Sequence, residues 1–575
     1  MRKTVRAAAV GAAATVLAVA GTPAADATDA TEQARHAGGI KHLVVIYEEN
    51  HSFDNLFGGW TRVRGRAVNG VHGPGYAGRA TQAGADGKPL ACLPQKDVNL
   101  TSPPLDPTCG PVALADGTTA ASHFTNAPFD ITHYIAPADT TCPPGDVSAP
   151  DGVLKGKGEP GGCTRDMVHR FYTEQFQLDG GRMDRYTLGS DAAGLTQGRY
   201  DTRALPVYAY LHTKGAPRYV LGDRFFQGAF GGSFLNHQYL IAARAPQWAD
   251  WTEDGAAHSV LDTKGMPAKT PLYANETGQD NPLTQACGTP ATVAGFACGD
   301  YAVNTVQPFS QPYAPGTADA KRLPPIDDGT SPNIGDELSA KGVAWAWYAG
   351  GWDNAAGNTT GPGWTNGTTA GTCGDADHKA AAVYPYCAGN LFQFHHQPFT
   401  YFAAYGEGKP GRRHLKDEAA FLAAAKAGKL PAVSFVKPYG EENEHPGYAS
   451  TDNGESHLVD LLKAVDASPQ ADDTVVVVTY DEFGGQWDHV PPPGSGTPGP
   501  HDAFGPGTRI PFLMLGRPLR RSGVDHTPYD TTSILRTIEK RWHLAPLDKA
   551  YGRDAKVADL GSAFRLAGLP LDYPA

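Results

Sequence analysis

Two apolar runs that stop abruptly at acidic residues constrain this chain more than any other feature. Ile40 to Tyr47 is a mainly apolar run that ends in Glu48-Glu49-Asn50, and Val475 to Tyr480 reads VVVVTY and runs straight into Asp481-Glu482. Leu430 to Lys437 (LPAVSFVK) and Arg509 to Leu515 (RIPFLML) are two more such runs. Short, near-continuous hydrophobic segments suit strands buried on both faces of a mostly parallel sheet. In open sheets of that class, ligands sit beyond the carboxyl ends of the strands. The acidic residues therefore stand where a site is expected. Helices are expected over Met167–Leu178, over Phe234–Ala243, over Asp417–Ala427 with Asp417 as cap, and after Asp530, where Ile534, Leu535, Ile538 and Trp542 share a face. Segments 62–122, 250–335 and 353–390 lack periodicity. The reading is a single α/β domain over 40–575, with a mostly parallel central sheet, helices on both faces and long loop insertions.

Glu49-Asn50, in EENHSFDNLFG (Glu48 to Gly58), pairs a carboxylate with an amide oxygen, a hard-oxygen set for a cation. The same residues could simply begin a capped helix, and the local sequence does not choose. Asp481-Glu482 lies in TYDEFGGQWDHVPPP (Thr479 to Pro493). Adjacent carboxylates behind a buried strand repel each other unless a cation lies between them. In that string Gly484-Gly485 would let backbone approach a ligand, and Asp488 could orient His489. Ser233 follows two glycines in GAFGGSFLNHQYLIAA (Gly228 to Ala243). It should sit at a helix N-terminus, where amides and dipole favour an anion. Local sequence alone favours a plain N-cap there. His395-His396 in FQFHHQPFTYF, His445 in EENEHPGYAS and His133 in FDITHY are the candidate histidines.

Arg2, Lys3 and Arg6 precede a small-residue apolar run, Ala7 to Ala20, and a small-residue cleavage site, Ala25-Asp26-Ala27. That pattern is expected of a secretion signal over 1–27, followed by a flexible leader over 28–39. The eight cysteines fall into four local pairs, 92–109, 142–163, 287–298 and 373–387. Each pair flanks a Gly-, Pro-, Asp- or Thr-rich stretch, so local disulfides in an exported protein are expected. A net charge of −12 argues against a nucleic-acid partner, and no later run is long enough for stable membrane insertion.

Taken together, EENHSFDNLFG, HRFYTEQFQLDGGRMDRY, GGSFLNHQYL, FQFHHQPF and TYDEFGGQWDHVPPP resemble the bacterial phosphoesterase family of phospholipase C and acid phosphatase A, closer to the acid phosphatase branch. The strings span roughly residues 40 to 545 in the family's order. His51 departs from the family, which more often has arginine there. The resemblance implies an alkaline-phosphatase-like fold and one divalent metal ion, whose identity stays open among hard and borderline cations. It implies Glu49, Asn50, Asp481 and Glu482 as metal ligands and Ser233 as nucleophile. It places His133, His395, His396 and His445 around the phosphoryl group, and His445 is the chosen general acid. The expected activity is acid phosphatase hydrolysis of small phosphate monoesters through a phosphoserine. The alternatives are a phospholipase C acting on lipid headgroups and, in a different class, a secreted non-catalytic surface- or carbohydrate-binding protein.

Overall fold

The computed structural model describes residues 40–94, 109–113, 119–122, 124–132, 166–247, 301–303, 326–327, 329–367, 384–389, 391–447, 449–547 and 552–569. Eight strands form the central sheet: β1 His42–Glu48, β2 Tyr219–Gly222, β3 Trp345–Ala349, β4 Leu415–Asp417, β5 Val433–Lys437, β6 Thr474–Tyr480, β7 Phe512–Leu515 and β8 Gly523–Asp525. Their order across the sheet is β4-β3-β5-β1-β6-β7-β2-β8. All neighbours run parallel except β7, which is antiparallel to both β6 and β2. The sheet is thus mostly parallel, as expected, and mixed through RIPFLML. A strand buried on both faces reads as continuous apolar sequence in either direction, so composition does not encode its polarity.

Five helices have eight or more residues among the described residues: α1 Phe171–Leu178, α2 Ser233–Ala242, α3 Glu418–Ala427, α4 Thr451–Asp466 and α5 Thr532–Trp542. Asp417 caps α3 by accepting from the Ala419 amide at 3.0 Å, and Asp530 accepts from the Thr532 amide at 2.7 Å. Helix α1 starts four residues later than its apolar pattern suggests. Adjacent residues of β1 show that helices cover both faces. The Tyr47 hydroxyl donates to Asn236 O of α2, while the Glu48 carboxyl feels His457 and Glu455 of α4. Successive strand side chains point to opposite faces, so α2 and α4 lie on opposite sides.

The centre of the core is β1 against β6. Val44, Val45, Ile46, Val475 and Val477 are fully buried, each contributing about 1.5–3 kcal/mol by leaving water. Their register sets the site. Glu48 and Tyr480 are the last paired residues of β1 and β6, so Glu49 and Asp481 leave the sheet side by side. On the other flank Ile46 pairs with Val436 of β5, which brings Lys437 to the same edge.

Of the cysteines, Cys92 and Cys387 fall among residues whose side chains are described. Cys387 is disulfide-bonded. The four expected pairings, like His133 and the residues 1–39, lie outside the described residues. Among the described residues, no helix is long and apolar enough to cross a membrane.

Candidate active site

The carboxyl ends of β5, β1 and β6 deliver Lys437, Glu49-Asn50 and Asp481-Glu482 to one place. Asn50 takes a left-handed conformation, φ 57°, and its amide donates to Asp481 Oδ1 at 3.1 Å. The Glu482 amide donates to the same oxygen at 2.7 Å. Gly484, φ 61°, lies against the backbone of Asn50, and a Cβ there would stand 2.3 Å from Asn50 O. The absence of a side chain at Gly484 lets these two loops pack closely.

Ser233 is the first residue of α2, with Gly232 as the cap and no side-chain cap bond. Its hydroxyl donates to Glu49 Oε2 at 3.2 Å, so it does not act as an N-cap. Gly231 makes the turn possible: its φ is 86°, and a Cβ would meet the Phe171 amide nitrogen at 2.6 Å. Glu174 of α1 pins that turn. It accepts from the Gly231 amide at 2.5 Å, from the Thr508 amide at 2.6 Å and from Gln227 at 2.8 Å. Burial still lifts its carboxyl to about 7.

Three histidines crowd Glu49. His396 Nε2 lies 3.0 Å from Glu49 Oε1, and its ring stacks on His237 with centroids 5.2 Å apart. His395 meets His237 edge-on at 5.8 Å. His237 sits one turn after Ser233 and donates from Nδ1 to Ser233 O at 2.8 Å. Burial pushes His396 down to about 4 and drives His237 and His395 well below the usual imidazole range, so all three are neutral near pH 7. Burial would raise Glu49, but the buried ammonium of Lys437, which pairs with Glu49 Oε1, and then His396 hold it well below the usual range. Asp481 responds the other way: burial and then Glu49 push it up to about 7. Burial and then Asp481 carry Glu482 well above the carboxylate range.

His445 stands on the far side of Asn50. Its Nε2 lies 3.1 Å from Asn50 Nδ2, and His169 Nε2 lies 3.5 Å from the same nitrogen. Each ring donates from Nδ1 to a backbone carbonyl, Pro446 O and Met167 O respectively. With the second imidazole nitrogens left to accept, the Asn50 amide donates both protons and turns Oδ1 the other way. Asn50 Oδ1, Asp481 Oδ2 and Glu482 Oε1 are buried and make no hydrogen bond among the described residues. Buried carboxyl and amide oxygens without donors are costly. This oxygen-rich set fits a hard divalent cation.

The structure thus brings together Glu49, Asn50, Asp481, Glu482, Ser233, His395, His396 and His445. Asp488 does not orient His489 as expected. Asp54 does, at 2.6 Å, while Asp488 accepts from Arg509. His51 donates from Nδ1 to Asn55 Oδ1 at 2.7 Å and is pushed by burial down to about 4, so its replacement of the family's arginine leaves a neutral ring. Sequence reasoning missed His237, His169, Lys437 and Glu174. His237 was legible as the residue four positions after Ser233, and Lys437 as the one cation ending a buried strand. His169 and Glu174 carried no local mark.

The Phosphoesterase family's model matches residues 117–545. The chain belongs to that family. Its similar proteins include phospholipase C B of Mycobacterium tuberculosis (strain ATCC 25618 / H37Rv), 32% identical over 179 residues, which cover 27% of this chain and 34% of the relative. Phospholipase C A of the same strain is 31% identical over 26% of this chain and 32% of the relative. Non-specific phospholipase C6 of Arabidopsis thaliana is 29% identical over 22% of this chain and 29% of the relative. The chain spans about a third of the length of the curated relatives it matches. Among solved structures, a putative sulfatase of Bacteroides thetaiotaomicron VPI-5482 aligns over 64% of this chain and 70% of its own, with a TM-score of 0.20 and 14% identity. That likeness is too low to bear on the fold.

Proposed function

We propose that this member of the phosphoesterase family is an exported hydrolase of phosphate esters with Ser233 as nucleophile. One observation carries the reading: the Ser233 hydroxyl, at the N-terminus of α2, donates to Glu49 beside buried carboxyl and amide oxygens that have no donor of their own. An N-cap serine would bond its own helix amides instead.

Glu49, kept ionised by Lys437 and His396, orients the Ser233 hydroxyl. Glu49 takes the hydroxyl proton as Ser233 Oγ forms a bond to phosphorus and the bond to the leaving oxygen breaks in line. The N-terminal amides of α2 and the neutral imidazoles of His395 and His396 are hydrogen-bond donors for the phosphoryl oxygens. His445 is the group assigned to protonate the leaving alcohol, acting as the imidazolium and giving up its contact with Asn50 Nδ2. Water then attacks phosphorus and passes a proton to His445, while Ser233 Oγ leaves and takes back the proton held by Glu49, so that phosphate is released and Ser233 returns. A divalent cation held by Glu49, Asn50, Asp481 and Glu482 would polarise the phosphoryl oxygens and lower the pKa of the serine.

Small phosphate monoesters are the favoured substrates, giving an acid phosphatase. The enclosure supports this: Ser233, His395 and His396 are 3–4% exposed, which suits a compact ester. The second reading is a phospholipase C, supported by the similarity to mycobacterial and plant phospholipases C. Assays with p-nitrophenyl phosphate and p-nitrophenyl phosphorylcholine separate the two. Hydrolysis of neither, by protein supplied with divalent cations, would overturn both and favour a non-catalytic binding protein. The basic start and apolar run over residues 1–27 support export.

A further inference from the structure

The opposite end of the sheet gathers cations. Strands β2 and β8 begin there, directly after Arg218 and after Arg520-Arg521-Ser522, and the antiparallel β7 ends there before Gly516-Arg517. A cavity of about 830 Å³ opens at this end, and its lining includes Arg62, Arg64, Lys214, Arg218 and Arg517. Among the described residues the single carboxylate in that lining, Asp466, is taken by Arg517 at 2.8 Å. Among the described residues, the side chains of Arg64, Lys214 and Arg218 enter no hydrogen bond or ion pair. That leaves a local positive surplus in a chain of net charge −12.

The backbone supplies an independent observation. Arg62–Val63 and Arg66–Ala67 pair antiparallel, joined by a two-residue turn, Arg64-Gly65, with φ of 49° and 84°. Turns of this kind favour Asn, Asp or Gly at the first position. An arginine held there against its preference aims at function before stability. It places a guanidinium at the cavity.

We propose that this cavity binds a small ligand carrying several phosphate groups close together. Guanidinium groups match phosphate oxygens in pairs, and the ammonium of Lys214 adds a point charge. A single carboxylate would leave most of the surplus uncompensated. The volume falls within the range of small-ligand sites, so a discrete polyanion fits better than a flat anionic surface.

Calorimetric titration of the full chain with inorganic tripolyphosphate tests this. The expected result is saturable one-to-one binding, equal in wild type and Asp481→Ala. The triple variant Arg64→Ala, Lys214→Ala, Arg218→Ala should bind at least about tenfold more weakly. Arg64→Gly relaxes the turn, so it should melt at a higher temperature and still bind several-fold more weakly. Absent saturation, undiminished binding by the triple variant, or undiminished binding by Arg64→Gly would overturn the proposal. So would loss of binding in Asp481→Ala, which would move the ligand to the Ser233 site. Binding only to phosphatidylserine vesicles would overturn it in favour of a membrane-docking face.

Discussion

Two buried acidic clusters flank the turn after β1, and they differ in whether their oxygens find donors. Asp54 and Asp488 are fully provided for. Arg509, itself 0% exposed, donates to both oxygens of Asp488 at 3.0 and 3.1 Å and to Asp54 at 2.9 Å. The His489 amide and ring supply Asp54's other oxygen at 2.8 and 2.6 Å. Against the cost of burial, His489 and Arg509 hold Asp54 below its usual range, while burial outweighs Arg509 at Asp488 and lifts it to about 6. In the other cluster Glu49 pairs with the ammonium of Lys437, while Asp481 and Glu482 each keep an oxygen that makes no hydrogen bond among the described residues. The first cluster needs nothing from outside. The second needs a counter-charge that the described residues do not provide.

The largest effects should come from the incomplete cluster, in turnover. Asp481→Ala, or chelation of wild type, should lower phosphate-ester hydrolysis by at least about 10³-fold. Ser233→Ala should match that loss with an unchanged melting temperature, because its hydroxyl bonds Glu49 rather than a helix amide. Acid quench of wild type should trap phosphate on the Ser233 peptide. Normal turnover in Ser233→Ala would end the nucleophile assignment, and full activity in metal-stripped protein would end the comparison itself.

In the complete cluster the effect should be on stability. Arg509→Met leaves Asp488 without a counter-charge and Asp54 with His489 alone, and should cost about 3–5 kcal/mol. Urea denaturation measures it. A loss under about 1 kcal/mol would mean that Arg509 contributes little and that the clusters do not differ as argued.

Amide substitutions sharpen the contrast by sign. In chelator, Asp481→Asn removes a charge that Glu49 and Glu482 repel, while its Oδ1 can still accept from Asn50 and Glu482. Metal-free protein should gain about 1 kcal/mol. Asp488→Asn removes the partner of Arg509 and should lose about 1–3 kcal/mol. The same sign in both melting curves would contradict the distinction.

The sequence already showed where the incomplete cluster lies, because a buried parallel strand must end and its next residues face the site. VVVVTY followed by Asp481-Glu482 needs no partner to be read. The complete cluster was misread because its pairs join distant elements: Asp54 meets His489, and Asp488 meets Arg509, 21 residues on. The neighbouring Asp488-His489 looked like a pair and is not one. Lys437 and Glu174 were missed for the same reason, since each acts across strands or between a helix and a loop. The reversed direction of β7 was hidden because a doubly buried strand has the same composition either way.

A third group tests whether a titratable counter-charge suffices. Glu418, Glu442 and His457 place donor atoms within 4.8 Å of one another, a spacing that also suits a metal. His457 Nε2 lies 2.9 Å from Glu418 Oε1 and its Nδ1 lies 3.7 Å from Glu442. Burial would lower the imidazole, but the Glu418 hydrogen bond and then the carboxylate charges outweigh it and raise it to about 9. A protonated ring cannot ligate a metal, so this group should behave like the Arg509 cluster until the proton leaves. Its folded value lies above the unfolded one. Its contribution is therefore fully present below about pH 6.5 and lost as pH rises through about 9. Allowing for partial exposure, the loss should be about 2 kcal/mol across that window. His457→Gln should flatten this part of the pH–stability curve without changing stability per added Zn²⁺. Equal slopes in wild type and variant between pH 6.5 and 9 would show that the imidazolium contributes nothing. Stabilisation of wild type by Zn²⁺ that His457→Gln abolishes would place the group with the incomplete cluster instead.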